Sequence, residues 1–213
     1  MDNEAVEEYV LLEKILEGLK NEIPIRALDL SDDELKLIKN FSFLTAKPIL
    51  YVCNISESEI NDYSSNEYVK QVQEISKKDK AKVVVISAKI EQELQELDPE
   101  EKELFMEELG IKRSGLDELI SVSYDVLGLK TFFTAGEKEV RAWTFKDGMK
   151  APECAGIIHS DFEKGFIRAE TISYVDLINA GSEAKAKEAG KFRLEGKEYR
   201  AKDGDVFHFR FNN

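Results

Sequence analysis

The hydrophobic period changes once along this 213-residue chain, near residue 130, and that change limits the folds open to it. Before it, apolar residues recur at helical spacing around two short apolar runs, Ile49-Leu-Tyr-Val-Cys53 and Val83-Val-Val-Ile86. After it, apolar and polar residues alternate in Thr131–Thr134, Glu139–Phe145, Gly165–Ile172, Lys191–Leu194 and Asp205–Phe211. A helical period broken by isolated apolar runs predicts helices around a parallel layer, whereas strict alternation predicts half-buried strands.

Charge breaks at the same place. Of the net −13, residues 1–129 carry −14 and residues 130–213 carry +1. Phosphate affinity is mostly cationic neutralisation, so any contact with RNA is expected in the second part. The start, Met1-Asp-Asn-Glu4, lacks the basic-then-apolar pattern of a signal peptide, and no apolar run reaches the length of a membrane span. Two cysteines, Cys53 and Cys154, are too few for a disulfide framework and fit a reduced, cytoplasmic setting.

Three regions follow. In 1–46, a helix over 4–20 carries Val6, Val10, Leu12, Ile15, Leu16 and Leu19 and is closed by Gly18 and Pro24. Ser31-Asp-Asp-Glu34 is a capping box opening a second helix with Leu35, Leu37, Ile38 and Phe41. The two predict an antiparallel helical hairpin. In 47–129, a buried strand (49–53) leads through a loop to a helix near 66–78 carrying Val69, Val72 and Ile75. A second strand (82–87), acidic helices over 90–109 and a Ser114-capped helix over 115–127 complete this α/β region. Two strands make a marginal sheet, and an unpaired edge at 49–53 or 83–87 invites association, a second copy included. In 130–213, turns at Asp147-Gly148, Gly196 and Asp203-Gly204, with helices at 151–158 and 173–180, predict a small α+β sheet domain.

Chemistry gathers at the strand tips. Ligands in open α/β sheets bind outside the carboxyl ends of the strands. The first run ends in Asn54-Ile55-Ser56-Glu57 and the second in Ser87-Ala88-Lys89. An asparagine amide both donates and accepts, which suits a purine edge, and a carboxylate three residues on can accept from base donors. Asn54-Ile-Ser-Glu57 resembles the base-recognition motif of P-loop GTPases, Asn-Lys-x-Asp, with Ile55 for the lysine and Glu57 for the aspartate. Ser87-Ala88-Lys89 matches their second base-contacting loop, whose backbone N–H groups face the base. With the longer Glu57, and without lysine cover on the base, strict guanine reading is not expected.

That departure resembles the YchF subfamily of the Obg-like GTPases. The similarity continues through Ile90–Leu94, Leu109-Gly-Ile-Lys-Arg-Ser-Gly-Leu116, Thr131–Gly136, Lys138–Trp143, Asp161–Glu170, Glu195–Tyr199 and Asp203–Phe211, nearly the whole chain in order. The resemblance implies the end of a helical coiled-coil insertion (1–46), the last part of a nucleotide-binding domain (47–129) and a TGS domain of β-grasp, ubiquitin-like fold (130–213). It implies ATP, and more weakly GTP, as ligand, with Mg2+ in the full-length family, ATP hydrolysis and ribosome association. Base contacts would come from Asn54, Ile55, Glu57, Ser87, Ala88 and Lys89.

No Gly-x-x-x-x-Gly-Lys-[Ser/Thr] run occurs in the sequence, and Ala189-Gly-Lys-Phe192 lacks both its first glycine and its hydroxyl. The chain is therefore expected to bind a base without turning ATP over, and no catalytic residue is assigned. A different reading makes it a binding module, the TGS domain meeting RNA, the ribosome or a protein beside a vestigial nucleotide site. Arg141, Trp143 and Arg168 are its candidate surface, with Arg193, Arg200 and Arg210 as further candidates in the same domain. Arginine beside an aromatic suits base stacking, and equally suits an ordinary sheet with a snorkelling arginine. His159 and His208 read as structural, Glu57 and Glu59 as solvated, and no metal ligands are expected.

Overall fold

The computed structural model describes residues 3–136 and 139–212. Glu137 and Lys138, where the Lys138–Trp143 motif begins, lie outside the described residues. The chain divides into two units, Met1–Val126 and Leu127–Asn213.

The first unit opens with α1 (Asn3–Lys20). Its Leu11 and Ile15 are buried with Ile25 and Ile38, and Leu28, Leu37 and Phe43 close over them. Much of the expected apolar face points elsewhere: Val6, Val10 and Leu16 are exposed. Gly18 lies in the last turn of α1, near its end as expected, and a Cβ there would stand 2.8 Å from a Leu28 methyl.

The capping box forms as expected: Glu34 N–H donates to the Ser31 hydroxyl at 3.2 Å, and Ser31 N–H donates to the Glu34 carboxylate at 2.6 Å. The helix it starts, α2 (Asp32–Leu37), is only six residues long, which corrects the expected hairpin. Ile38 and Phe43 turn inward against α1, and Ser42 takes a left-handed conformation (φ 52°) that no helix can propagate through.

Strand β1 (Leu50–Asn54) pairs in parallel with β2 (Lys82–Ile86), in a register that sets Asn54 opposite Ile86. The expectation of a buried first strand fails. Val52 is 45% exposed, because among the described residues β1 has β2 as its one strand neighbour. Between the strands runs α3 (Glu67–Asp79), capped by Asn66, whose Oδ1 accepts from Tyr68 and Val69 N–H. Asp79 at its end accepts from Tyr51 Oη at 2.6 Å and Arg26 at 3.1 Å, tying helix, strand and the α1 segment together. After β2 come α4 (Ala88–Glu96), α5 (Pro99–Glu108) and α6 (Gly115–Val126). The Asp98-Pro99 step divides the acidic stretch, because proline at a first helical position starts a helix and cannot continue one.

The second unit is a mixed five-stranded sheet. Its strands are β3 (Leu129–Ala135), β4 (Val140–Lys146), β5 (Phe166–Ser173), β6 (Arg193–Glu195) and β7 (Asp205–Phe211). Their order is β4-β3-β7-β5-β6, with β3 and β7 parallel and the other pairs antiparallel. The alternation of Phe207 and Phe209 puts both on one face with Phe132, Phe145 and Phe166. Helix α7 (Ala151–Ile158) lays Ala151, Cys154 and Ala155 on that face. A short α8 (Ser160–Lys164) precedes β5. Helices α9 (Tyr174–Ala180) and α10 (Glu183–Glu188) fill a second cluster with Ile172, Ala186, Val206 and Phe133. Gly165 is required where it stands: a Cβ there would lie 2.0 Å from the Asn212 carbonyl oxygen.

Burial, and then the charges of Glu153 and Asp205, push the Cys154 thiol up to about 12, and burial raises Cys53 as well. Only the thiolate is nucleophilic. In native protein at neutral pH, Ellman's reagent is expected to modify the half-buried Cys53 slowly and to reach fully buried Cys154 only after urea is added. Two rapid equivalents from native protein would contradict that packing.

Candidate functional site

The parallel register brings the two polar tips side by side. Ile55 N–H continues the ladder to Ile86 C=O at 2.9 Å, so Asn54 is held against the end of β2. The Asn54 side chain closes the gap. Its Oδ1 accepts from Ala88 N–H, the first residue of α4, at 3.0 Å. This bond satisfies one of the donors that a helix start leaves without an intrahelical partner. It also means that the Ala88 N–H, which the resemblance assigns to a base, is already engaged. The amide's Nδ2 side remains for a ligand.

The outer contact is ionic. Lys89 Nζ lies 2.5 Å from Glu57 Oε1 and 3.9 Å from Glu93 Oε1, and the Glu57 pairing raises the Lys89 pKa. Lys89 and Glu57 keep 66% and 42% of their side-chain surface exposed, so their pairing adds little to stability. Glu57 is thus held by Lys89 across the two tips, a pairing the sequence does not announce. Glu59 turns away, accepting from Ser56 Oγ (2.6 Å) and Asn66 Nδ2 (2.8 Å), and these bonds lower its pKa. The two glutamates do not converge, and among the described residues no group of three or more His, Cys, Asp or Glu side chains is placed to hold a metal ion.

Two cavities flank the tips. One of about 300 Å3 lies along β1 and α3 and includes Asn54, Ile55 and Ser56 in its wall. The other, about 370 Å3, lies along β2 and includes Ser87, Ile90 and Glu91. Of the six tip residues, Asn54 and Ile55 line the first cavity, Ser87 lines the second, and Glu57, Ala88 and Lys89 line neither. Ser87 is 2% exposed, and its Oγ has no hydrogen-bond partner among the described residues. Beyond it, Glu91 accepts from Gly115 N–H (2.7 Å) and Leu116 N–H (3.1 Å) and caps α6 jointly with Ser114. Glu91 was missed as a site-shaping residue. The close approach of Gly115 to α4, which places its amide against that carboxylate, is visible only in three dimensions.

In the second unit, Trp143 is only half-exposed. Its indole N–H donates to Thr134 Oγ1 at 2.9 Å, its ring stacks on Phe132, and the Arg141 guanidinium sits 4.1 Å from the ring centroid. The pair has the geometry of a snorkelling arginine over a half-buried aromatic. Arg168 is exposed and stands opposite Arg210, which pairs with Glu170 at 3.0 Å. His208 is exposed on the sheet surface, and His159 caps α8 by accepting from Asp161 N–H, both structural as expected. Gly190 closes α10 with φ +67°, so the Ala189–Phe192 run is a helix end and not a phosphate cradle. Among the described residues, no helix is long and apolar enough to cross a membrane.

Residues 129–212 match the YchF-GTPase_C family, described as "Protein of unknown function (DUF933)". Over 211 residues, 99% of its length, the chain is 59% identical to the ribosome-binding ATPase YchF of Bacillus subtilis and 50% identical to that of Escherichia coli O157:H7. It spans 58% and 57% of those relatives. The solved structure of the Schizosaccharomyces pombe YchF GTPase matches 96% of the chain and 54% of that protein, at TM-score 0.85 and 35% identity. A GTP-binding protein of Pyrococcus horikoshii shares the fold at TM-score 0.57 and 18% identity, covering 100% of the chain and 57% of that protein. A parallel strand pair with joined polar tips, followed by a mixed sheet, is thus an α/β architecture shared with GTP-binding proteins. The chain belongs to the YchF subfamily of the Obg-like GTPases.

Proposed function

We propose that this chain is the base-reading and TGS-bearing portion of a YchF-type, ribosome-associated ATPase, and that its tip residues bind a purine nucleotide, ATP ahead of GTP. The observation that carries this reading is the Asn54 Oδ1–Ala88 N–H bond of 3.0 Å, which joins two strand ends into one site and leaves the Nδ2 donor for purine N7. The names of the relatives support ribosome association and ATPase membership. The sheet order β4-β3-β7-β5-β6 supports a β-grasp, TGS-type second unit, and cytoplasmic residence goes with a ribosomal partner. The donor set fits a base. With no Gly-x-x-x-x-Gly-Lys-[Ser/Thr] run in the sequence, we assign these residues no phosphoryl-transfer step and expect no ATP turnover by the chain on its own.

Titration of ATP, GTP and ADP against the chain tests this. Asn54→Ala removes both the ligand donor and the clasp to α4, and is expected to weaken ATP binding about tenfold or more. Unchanged affinity in Asn54→Ala, or ATP turnover that Glu57→Ala abolishes, would overturn the reading.

The exposed Arg168, Arg210 and His208 on the open sheet face favour a second reading, a ribosome or RNA contact through this unit. Ribosome co-sedimentation that persists in Asn54→Ala and falls steeply with salt would support it. The open edge of β1 also suits pairing with a second copy, which sedimentation velocity would detect.

A further inference from the structure

We infer that Lys89 sets the base preference of this site by holding Glu57 away from guanine. The inference rests on the base-binding reading above and concerns how that site chooses its ligand. Guanine differs from adenine in two ways along its Watson–Crick edge. It presents two donors, N1–H and the 2-amino group, and one acceptor, O6. Adenine presents an acceptor at N1 and a donor at N6. A site built for guanine needs a free carboxylate for the first two and an N–H donor for O6. Here Lys89 holds one oxygen of the carboxylate, and the Ala88 N–H is already given.

The Glu57 carboxylate is paired with Lys89 Nζ at 2.5 Å, and the Ala88 N–H is given to Asn54 Oδ1 at 3.0 Å. Purine N7 is common to both bases, so Asn54 Nδ2 binds without choosing. An unpaired carboxylate would repel the N1 lone pair of adenine. A carboxylate neutralised by lysine does so less. The ion pair therefore competes with guanine's donors for the Glu57 carboxylate and softens what adenine disfavours. Both side chains are substantially exposed, so the pairing, which joins the turn after β1 to the first turn of α4, adds little to stability. Glu93, 3.9 Å from the same ammonium, is one helical turn along α4 and helps to hold Lys89 at the tip.

Lys89→Met keeps the aliphatic stem and removes the charge, which frees Glu57. AMP and GMP titrations followed by amide chemical shifts of the tip residues are expected to show GMP affinity rising about tenfold relative to AMP, the scale of one good base contact. The double variant Lys89→Met/Glu57→Gln is expected to lose that gain, because an amide cannot receive both guanine donors. If the parent chain binds a nucleotide and Lys89→Met leaves the GMP:AMP ratio unchanged, this inference fails while the base-binding reading stands. If neither nucleotide moves the tip resonances of the parent, the base-binding reading itself fails and this inference falls with it. Both substitutions lie at exposed positions, so folding is expected to survive, and far-UV circular dichroism checks it.

Discussion

Replacing Phe132 with alanine is expected to destabilise the second unit by about 3–5 kcal/mol. Phe132 is fully buried on the central face of the sheet. Its ring meets Phe207 at 5.5 Å, Phe145 at 5.9 Å, Phe209 at 6.0 Å and Trp143 at 6.4 Å between centroids. Two of these contacts are edge-on, and such pairs add roughly 0.5–1.5 kcal/mol beyond the area they bury. The partners come from β4 and β7, which flank β3, so the cavity would open where three strands meet and could not close by moving one of them. Domains of this size hold roughly 5–15 kcal/mol in all, and each kcal/mol moves the midpoint by about 4–8 °C. The melting midpoint, followed by near-UV circular dichroism, is therefore expected to fall by at least about 12 °C. Phe132→Leu, which keeps most of the volume, should cost roughly 1.5 kcal/mol or less. A loss under about 1 kcal/mol in Phe132→Ala would show that the core closes around the gap and that Phe132 is not its centre.

The strand that carries Phe132 was legible, but the adjacent Phe132 and Phe133 left open which of the two faces the core, and only the pairing with β4 and β7 decides it. The capping box at Ser31 was legible because both of its hydrogen bonds close within four residues. Features that depend on distant partners were not. Gly18 reads as a helix end, but its close approach to Leu28 needs the folded chain. The second helix stopped early because Ile38 and Phe43 found α1, a contact that helical spacing does not encode. The α8 and α10 segments, polar and short, have too weak a periodicity to stand out from loop.

The site divides the same way. Asn54 and Ala88 could be placed together from the sequence, because parallel strands joined by one helix end on the same side. The Glu57–Lys89 pairing could not be foreseen. It depends on how the turn after β1 and the first turn of α4 come together, which the strand pattern does not encode. Trp143 shows the converse. Arg141 beside it suited a stacking surface and a snorkelling arginine equally, and only the opposing Phe132 and Thr134 show the half-exposed ring packed against the core.

Asp205 carries the other large expected effect. It is 2% exposed and accepts from Tyr199 Oη at 2.8 Å, Lys202 N–H at 2.9 Å and Arg193 at 3.2 Å. Asp205→Ala leaves a hydroxyl and a backbone N–H without an acceptor, at a cost of about 2–4 kcal/mol, readable as a lower urea midpoint. The same cluster gives a pH signature through Tyr199. Burial, followed by donation to Asp205, raises the Tyr199 pKa above its ordinary value near 10. A group whose folded pKa is raised contributes its full stabilisation below the unfolded value and loses it as pH climbs toward the folded one. Stability is thus expected to fall as pH rises above about 10, where the unfolded chain releases this proton and the folded chain does not. Tyr199→Phe removes that component, so its urea midpoint should decline less steeply over the same range. Tyr9 and Tyr51, whose pKa values are also raised, are unchanged in both proteins and cancel in the comparison. Equal slopes for the parent and Tyr199→Phe would mean that the Tyr199–Asp205 hydrogen bond opens before the unit unfolds. Asp205→Ala should then cost no more than the loss of its contacts to Lys202 and Arg193.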